Sequence, residues 1–343
     1  MKTFFTKLHY EKKPIFWEKA LVQSLVPISF VYEKLSDIRN YLYKKNILKN
    51  YKPDVLTISI GNLTTGGTGK TPITAAIANN LTEKGYKVAI LSRGYGSKLN
   101  SKKINIISDG NTIFYDANQG GDEPVWLAQN CPKTAVLTSS NRVNIAKYAE
   151  KELGCNALIL DDGFQHQKLQ RDINILVVDS IKQFGNKKVL PAGPLRESIK
   201  NISRANKIII VNKGSCENLV NIDLKEYHIC NLTTDYIYEI HSKTILENTN
   251  QQALAFSAIG QPQQFYNLAK ENGLNIVKTI NYADHHNYNE EDIKNIIKQA
   301  TDKNIQVILT TEKDAVKIKQ LTNHPIYALK LKSKLDLDEI LKI

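Results

Sequence analysis

Six consecutive residues could hold a phosphate chain: Gly66-Gly67-Thr68-Gly69-Lys70-Thr71. The usual phosphate-loop spelling, G-x-x-x-x-G-K-[ST], needs a further glycine at position 64, which here is Thr64. The essentials survive that change. Such a loop needs backbone N–H groups aimed inward, a helix N-terminus after them, a lysine for the outer phosphates and a hydroxyl for magnesium. Gly66, Gly67 and Gly69 permit positive φ and close backbone approach. Lys70 brings the charge, Thr71 the hydroxyl, and Pro72 suits a first helical turn. A tight strand–helix turn would account for the glycines but not for Lys70-Thr71 in register with a helix start.

Carboxylates are the next requirement. Asp161-Asp162 end the apolar run Leu158-Ile159-Leu160, where a core strand can present an acid to nucleotide-bound magnesium. Strand-end aspartates are also common turn residues, so the weight lies in their pairing with the phosphate loop. Asp122, in Gly120-Gly121-Asp122-Glu123-Pro124, has two readings. It could cap a helix whose first turn contains proline, or take a proton from a substrate hydroxyl.

Asp284-His285-His286 could be metal ligands, a proton relay or exposed loop residues. Adjacent histidines do not readily face one metal, and no Cys or His partner stands at zinc spacing, so the relay is preferred. Thr310-Thr311-Glu312-Lys313-Asp314 is either another cleft cluster or a charged turn. Asn212-Lys213-Gly214-Ser215 lacks the final aspartate of a guanine-reading N-K-x-D, and Thr311 to Asp314 lacks its order. ATP is therefore the expected nucleotide.

The elements that position these groups are strands and helices in alternation. Val55 to Ile60 predicts a strand into the glycine loop, and Pro72 to Glu83 a helix with Ile73, Ala76, Ile77 and Leu81 at helical spacing. Strands follow at Val88 to Leu91, Thr134 to Thr138, Ala157 to Leu160, Ile173 to Val178 and Lys207 to Val211, with a helix at Arg142 to Leu153. That alternation predicts a mostly parallel sheet covered by helices, with its site at the carboxyl ends of the strands. From Cys230 to Ser242 the pattern becomes extended and partly alternating, and a second strand–helix set runs from Ala253 to Leu309. The expected organisation is an amino-terminal helical segment, 1–50, a core domain, 51–232, and a smaller second α/β domain, 233–343.

The chain has 343 residues, 42% of them hydrophobic, and a formal net charge of +12. That balance suggests an anionic partner: nucleotide, nucleic acid or anionic lipid. Residues 1–50 hold ten Lys/Arg against four Asp/Glu, half of the surplus. Their longest uncharged run, Ala20 to Tyr32, is interrupted by Pro27 and too short for a bilayer, which needs about 20 residues. It is also poorly placed for a signal peptide, with Glu11, Glu18 and several lysines before it. Phe4, Phe5, Tyr10, Phe16 and Trp17 interleave with Lys2, Lys7, Lys12, Lys13 and Lys19. Aromatics among lysines suit an amphipathic helix lying in a membrane interface, although a helix packed on the domain with a solvated basic face would read the same. Cys131, Cys155, Cys216 and Cys230 form no C-x-x-C pair and suit packed thiols of a reducing compartment.

Taken together, these stretches resemble the tetraacyldisaccharide 4'-kinases, the lipid A 4'-kinases of Gram-negative envelope synthesis. The resemblance rests on Gly61-Asn62 with Gly66 to Pro72, on Ser92-Arg93-Gly94-Tyr95-Gly96 and on Gly121-Asp122-Glu123-Pro124. It continues through Asp161-Asp162-Gly163-Phe164-Gln165-His166, Leu190-Pro191-Ala192-Gly193-Pro194-Leu195-Arg196-Glu197, Asp284-His285-His286 and Thr311 to Asp314, in order over about residues 55 to 317. The loop without a glycine at 64 is how that family spells it. Ser198 stands where the family would have proline, a departure that leaves the chemistry untouched.

The resemblance implies a P-loop NTPase-like fold and transfer of phosphate from ATP to the 4'-hydroxyl of a tetraacyl glucosamine disaccharide 1-phosphate. Gly66, Gly67, Thr68, Gly69 and Lys70 would hold the phosphates. Thr71 would bind Mg²⁺, with Asp161, Asp162 or Glu197 completing or supporting its shell. Asp122 would be the base and His285 would tune or relay the proton, the second domain closing a cleft around ATP. It also implies a peripheral enzyme on the cytoplasmic face of the bacterial inner membrane, its amino-terminal helix touching the bilayer. The competing reading, a membrane-associated P-loop ATPase acting as a switch, shares the loop and Asp161-Asp162 but gives no role to Asp122 with His285. A nucleic-acid module would rest on charge alone, without a recognised motif.

Overall fold

The computed structural model describes residues 8–10, 15–213, 226–284 and 286–342. Lys2, Phe4, Phe5, Lys7, Glu11, Lys12, Lys13, Gly214, Ser215, Cys216 and His285 lie outside the described residues. The strands are β1 Leu56–Gly61, β2 Val88–Ser92, β3 Asn105–Asp109, β4 Ala135–Thr138, β5 Ala157–Asp161 and β6 Ile173–Asp179. They continue as β7 Lys207–Asn212, β8 His228–Glu239, β9 Gln252–Ser257, β10 Asn275–Asn281, β11 Val307–Thr311 and β12 Tyr327–Lys334. Two compact units form, one from Met1–Arg93, Asn141–Cys230 and Leu335–Ile343, the other from Gly94–Ser140 and Asn231–Lys334.

In the first unit β1 pairs in parallel with β5 on one side and β6 on the other. β2 adds to β5 and β7 to β6, both parallel. Every residue of β2, β5 and β6 is buried, as strands covered on both faces must be. The helix Lys70–Glu83 buries Ile73, Ile77, Ala78 and Leu81. At the end of β1 a side chain could not be accommodated: a Cβ on Gly61 would lie 2.5 Å from the Phe164 backbone nitrogen. Gly61 thus lets the turn after β5 press against the start of the glycine loop.

The helix Phe16–Lys44 also belongs to this unit and runs through Pro27. It docks through polar residues, since Glu18, Ser29 and Ser36 are its buried side chains. The Ser29 hydroxyl accepts from Ala192 N at 2.9 Å, and Asn40 Nδ2 donates to Glu197 Oε2 at 3.0 Å. Its apolar stripe points away from that contact: Ile28 is 59% exposed, Val31 58%, Leu35 62% and Ile38 55%. Among the described residues no helix is long and apolar enough to cross a membrane.

The second unit has β9 between β10 and β11, both parallel to it, then β12 parallel to β11 and β8 antiparallel to β12. Successive residues of β9 serve opposite faces. Leu254 and Phe256 join a core with Ile293 and Ile296, while Ala253 and Ala255 join one with Phe265 and Leu268. β3 and β4 form an antiparallel pair in the same unit. Gly94–Ser140, which a continuous 51–232 domain would keep with the core, clusters here because helix Asp122–Asn130 packs on helix Glu312–Ile318.

Candidate active site

The glycine loop leads from β1 into helix Lys70–Glu83, and Gly69 is that helix's N-cap with φ of 87°. This left-handed conformation is one that a side chain resists, so glycine at 69 is a requirement of the turn. Lys70 Nζ lies 3.3 Å from Asp162 Oδ1 and donates to Asn62 Oδ1 at 3.2 Å. Thr71, in the first turn, is buried. The Thr68 hydroxyl is buried too, with no hydrogen-bond partner among the described residues. Lys213 Nζ donates to the Gly67 carbonyl at 3.1 Å and pairs with buried Asp179 at 2.9 Å, which ties the loop to the ends of β6 and β7.

Asp161 and Asp162 stand at the end of β5, as the sequence predicts. Asp161 Oδ1 accepts from the Thr74 hydroxyl at 3.1 Å. Asp162 has φ of 52° and its Oδ2 accepts from Arg196 Nη1 at 2.7 Å. Arg142 Nη1 donates to the Asp162 carbonyl at 2.9 Å. Burial alone would raise the Asp162 carboxyl, but Lys70, Arg196 and Arg142 overcome it and hold the group well below the usual carboxylate range. Asp162 is therefore an anion at any working pH.

Glu197 is fully buried and saturated with donors. Arg204 reaches both carboxylate oxygens, at 2.7 and 2.5 Å, and Gln165 Nε2 donates at 3.1 Å in addition to the Asn40 contact. The same Gln165 nitrogen donates to the Asn62 carbonyl at 2.8 Å. Glu197 so braces the residues that line the loop.

Asp122 lies in the second unit, as the first residue of helix Asp122–Asn130; the cap is Gly121, with φ of 89° and no side-chain hydrogen bond. The Asp122 carboxylate pairs with Lys317 Nζ at 2.7 Å, and Glu123 pairs with Lys313. The Thr311 to Asp314 stretch is a helix start: Thr311 is the N-cap and accepts from Asp314 N. Glu312 and Asp314 are both buried. Burial pushes the Glu312 carboxyl up to about 7. His286 Nε2 is 2.9 Å from Asp292 Oδ2, with its ring stacked on Tyr282.

Arg142, Arg196, Asn62 and Lys317 carry contacts that sequence spacing did not assign. Arg196 sits inside a quoted motif and Arg142 opens a predicted helix, but nothing local indicates that both reach Asp162.

The chain's similarities follow this geometry. The profile described as LpxK, Tetraacyldisaccharide-1-P 4'-kinase, matches residues 21–342. The chain belongs to this family. It is 34% identical to the Tetraacyldisaccharide 4'-kinase of Desulfotalea psychrophila over 92% of this chain and 94% of that one. It is 36% identical to that of Francisella tularensis subsp. novicida, covering 91% and 94%. The crystal structure of "apo" form LpxK from Aquifex aeolicus in complex with ATP is similar throughout, with a TM-score of 0.77 and 32% identity over 94% of this chain and 97% of that one. The chain is thus an ATP-dependent tetraacyldisaccharide 4'-kinase, a phosphotransferase of lipid A biosynthesis with a P-loop NTPase-like α/β fold.

Proposed function

We propose that the loop Gly66–Gly69 and Lys70 hold the ATP phosphates and that Asp122 takes the proton of the acceptor's 4'-hydroxyl. The observation that carries this reading is Lys70 at a helix start, within reach of a strand-end carboxylate held ionised by two further cations. Backbone N–H groups at a helix N-terminus and one lysine suit a triphosphate, and the Thr68 hydroxyl, without a partner among the described residues, adds a donor.

The donor set also fits Mg²⁺, which takes one or two carboxylates plus substrate phosphates rather than an all-protein cage. The Thr71 hydroxyl with Asp161 and Asp162 would hold it, and Glu197, with its oxygens already engaged, would support the shell from behind. When bound, the ion neutralises charge on the phosphate oxygens as transfer proceeds. His286 is committed to Asp292 and Tyr282, which supports His285 as the residue that tunes Asp122.

The acceptor is a tetraacyl disaccharide 1-phosphate, an anion with acyl chains, and we place the enzyme on the cytoplasmic face of the inner membrane. Helix Phe16–Lys44 supports this because its apolar stripe is bare while its polar side docks on the protein. Such a stripe suits burial at the headgroup boundary. Replacing both Val31 and Leu35 with Asp is expected to lower binding to phosphatidylglycerol vesicles at least about tenfold. Unchanged co-sedimentation would contradict the membrane assignment.

The kinase reading is tested by acceptor dependence. With Mg²⁺ present, ATP consumption should rise steeply when detergent-solubilised tetraacyl disaccharide 1-phosphate is added, and chelation should abolish the rise. Consumption indifferent to the lipid would point to a switch ATPase instead.

A further inference from the structure

A lysine buried to 4% exposure needs a reason, since an ammonium withdrawn from water is costly unless paired. Lys317 has that exposure, and its Nζ has two partners from different segments. It pairs with Asp122 Oδ2 at 2.7 Å and donates to the His286 carbonyl at 3.2 Å. All three residues belong to the second unit. We propose that Lys317 is a positioning residue for the phosphoryl transfer: its ammonium aims the Asp122 carboxylate and anchors the backbone beside His285 to it. The proposal rests on Asp122 being the base.

Lys317 is the cation that pairs with Asp122 directly, at 2.7 Å. On Asp122's own helix the nearest charge is Glu123, which is paired with Lys313, one turn before Lys317 on the facing helix. Asp314, on the Lys317 helix, is turned to other donors: its Oδ2 accepts from Ala258 N at 3.1 Å and the Thr311 hydroxyl at 2.7 Å. Burial raises the Asp314 carboxyl, with Lys317 among the groups that pull it down, while the direct ion pair of Lys317 is with Asp122. From β10 onward, the His286 ring is held by Asp292 rather than by Asp122.

The chemistry follows from charge. As the 4'-oxygen bonds to the γ-phosphorus and the bond to ADP breaks, the hydroxyl proton passes to Asp122. A cation beside that carboxylate keeps it ionised, hence able to accept, to lower pH. Removing the cation raises the carboxyl's pKa, so the acid limb of the rate profile moves to higher pH.

The test is the pH dependence of kcat for wild type, Lys317→Met, Lys317→Arg, Asp122→Asn and Lys317→Met/Asp122→Asn. For Lys317→Met, we expect the acid limb to move up by about one unit or more. Its kcat at pH 8 should fall about 10- to 100-fold through misplacement, with KM for ATP unchanged. Lys317→Arg should restore the limb, and Lys317→Met should add nothing in the Asp122→Asn background. If Lys317→Met does not fold, Lys317→Gln carries the same readout. An acid limb unmoved in the lysine variants, with Asp122→Asn inactive, would overturn the proposal alone. Full turnover by Asp122→Asn would overturn the base reading and this proposal with it.

Discussion

Replacing Lys70 with Met is expected to lower kcat/KM for ATP by about 10²- to 10³-fold, the loss seen when a donor to developing transition-state charge is removed. The physical case is local. Lys70 is the first residue of its helix and lies 3.3 Å from Asp162. Without its ammonium, two carboxylates at the end of β5 would meet the triphosphate with one less cation between them. Arg196 still pairs with Asp162, but it cannot take the lysine's place at the helix start. Lys70→Arg should not restore activity, because a planar fork does not replace a compact point charge. Calorimetric ATP titration with steady-state kinetics checks this, and a loss below tenfold would contradict it.

Asp122→Asn should act on a different parameter. The amide keeps the carboxylate's shape but accepts no proton, so turnover should drop by about 10²- to 10⁴-fold. The effect has an upper bound because phosphoryl transfer is loose and the alcohol need not be fully deprotonated early. KM for ATP should stay within about threefold, since Asp122 is not among the residues proposed to hold the phosphates. The variant should also melt lower, because Lys317 would keep a buried charge without its counter-charge. Turnover must therefore be measured well below the melting range. Equal losses in turnover and ATP affinity would remove Asp122 from the role of base.

These expectations differ in how far the sequence carried them. The glycine loop, β1 and the Asp161-Asp162 strand end were legible because each is local: an apolar run, a turn and a charged residue in order. Helix Phe16–Lys44 was only half legible. Pro27 signals a break, yet the helix continues, held from a distance by Ala192 and Glu197. β3 and β12 carry no comparable local signal; β12 contains Lys330 and Lys332 and is only partly buried, so it lacks an apolar signature. The inclusion of Gly94–Ser140 in the second unit depends on two helices far apart in sequence.

The site divides in the same way. Lys70, Thr71 and the carboxylates could be chosen from residue type and spacing, but their supporting cations could not. Arg142 reaches Asp162 from the start of a helix and Arg196 from a loop, and Lys317 reaches Asp122 from a helix nearly two hundred residues on. Such contacts are products of the fold, and no periodicity encodes them.

The most direct measurement is to analyse the lipid after incubation with γ-labelled ATP and Mg²⁺, and to map the new phosphate on the sugar. The predicted result is one added phosphate, carrying the label, on the 4'-position, with one ADP formed per lipid. Label recovered only as inorganic phosphate, or on any other hydroxyl, would contradict the assignment.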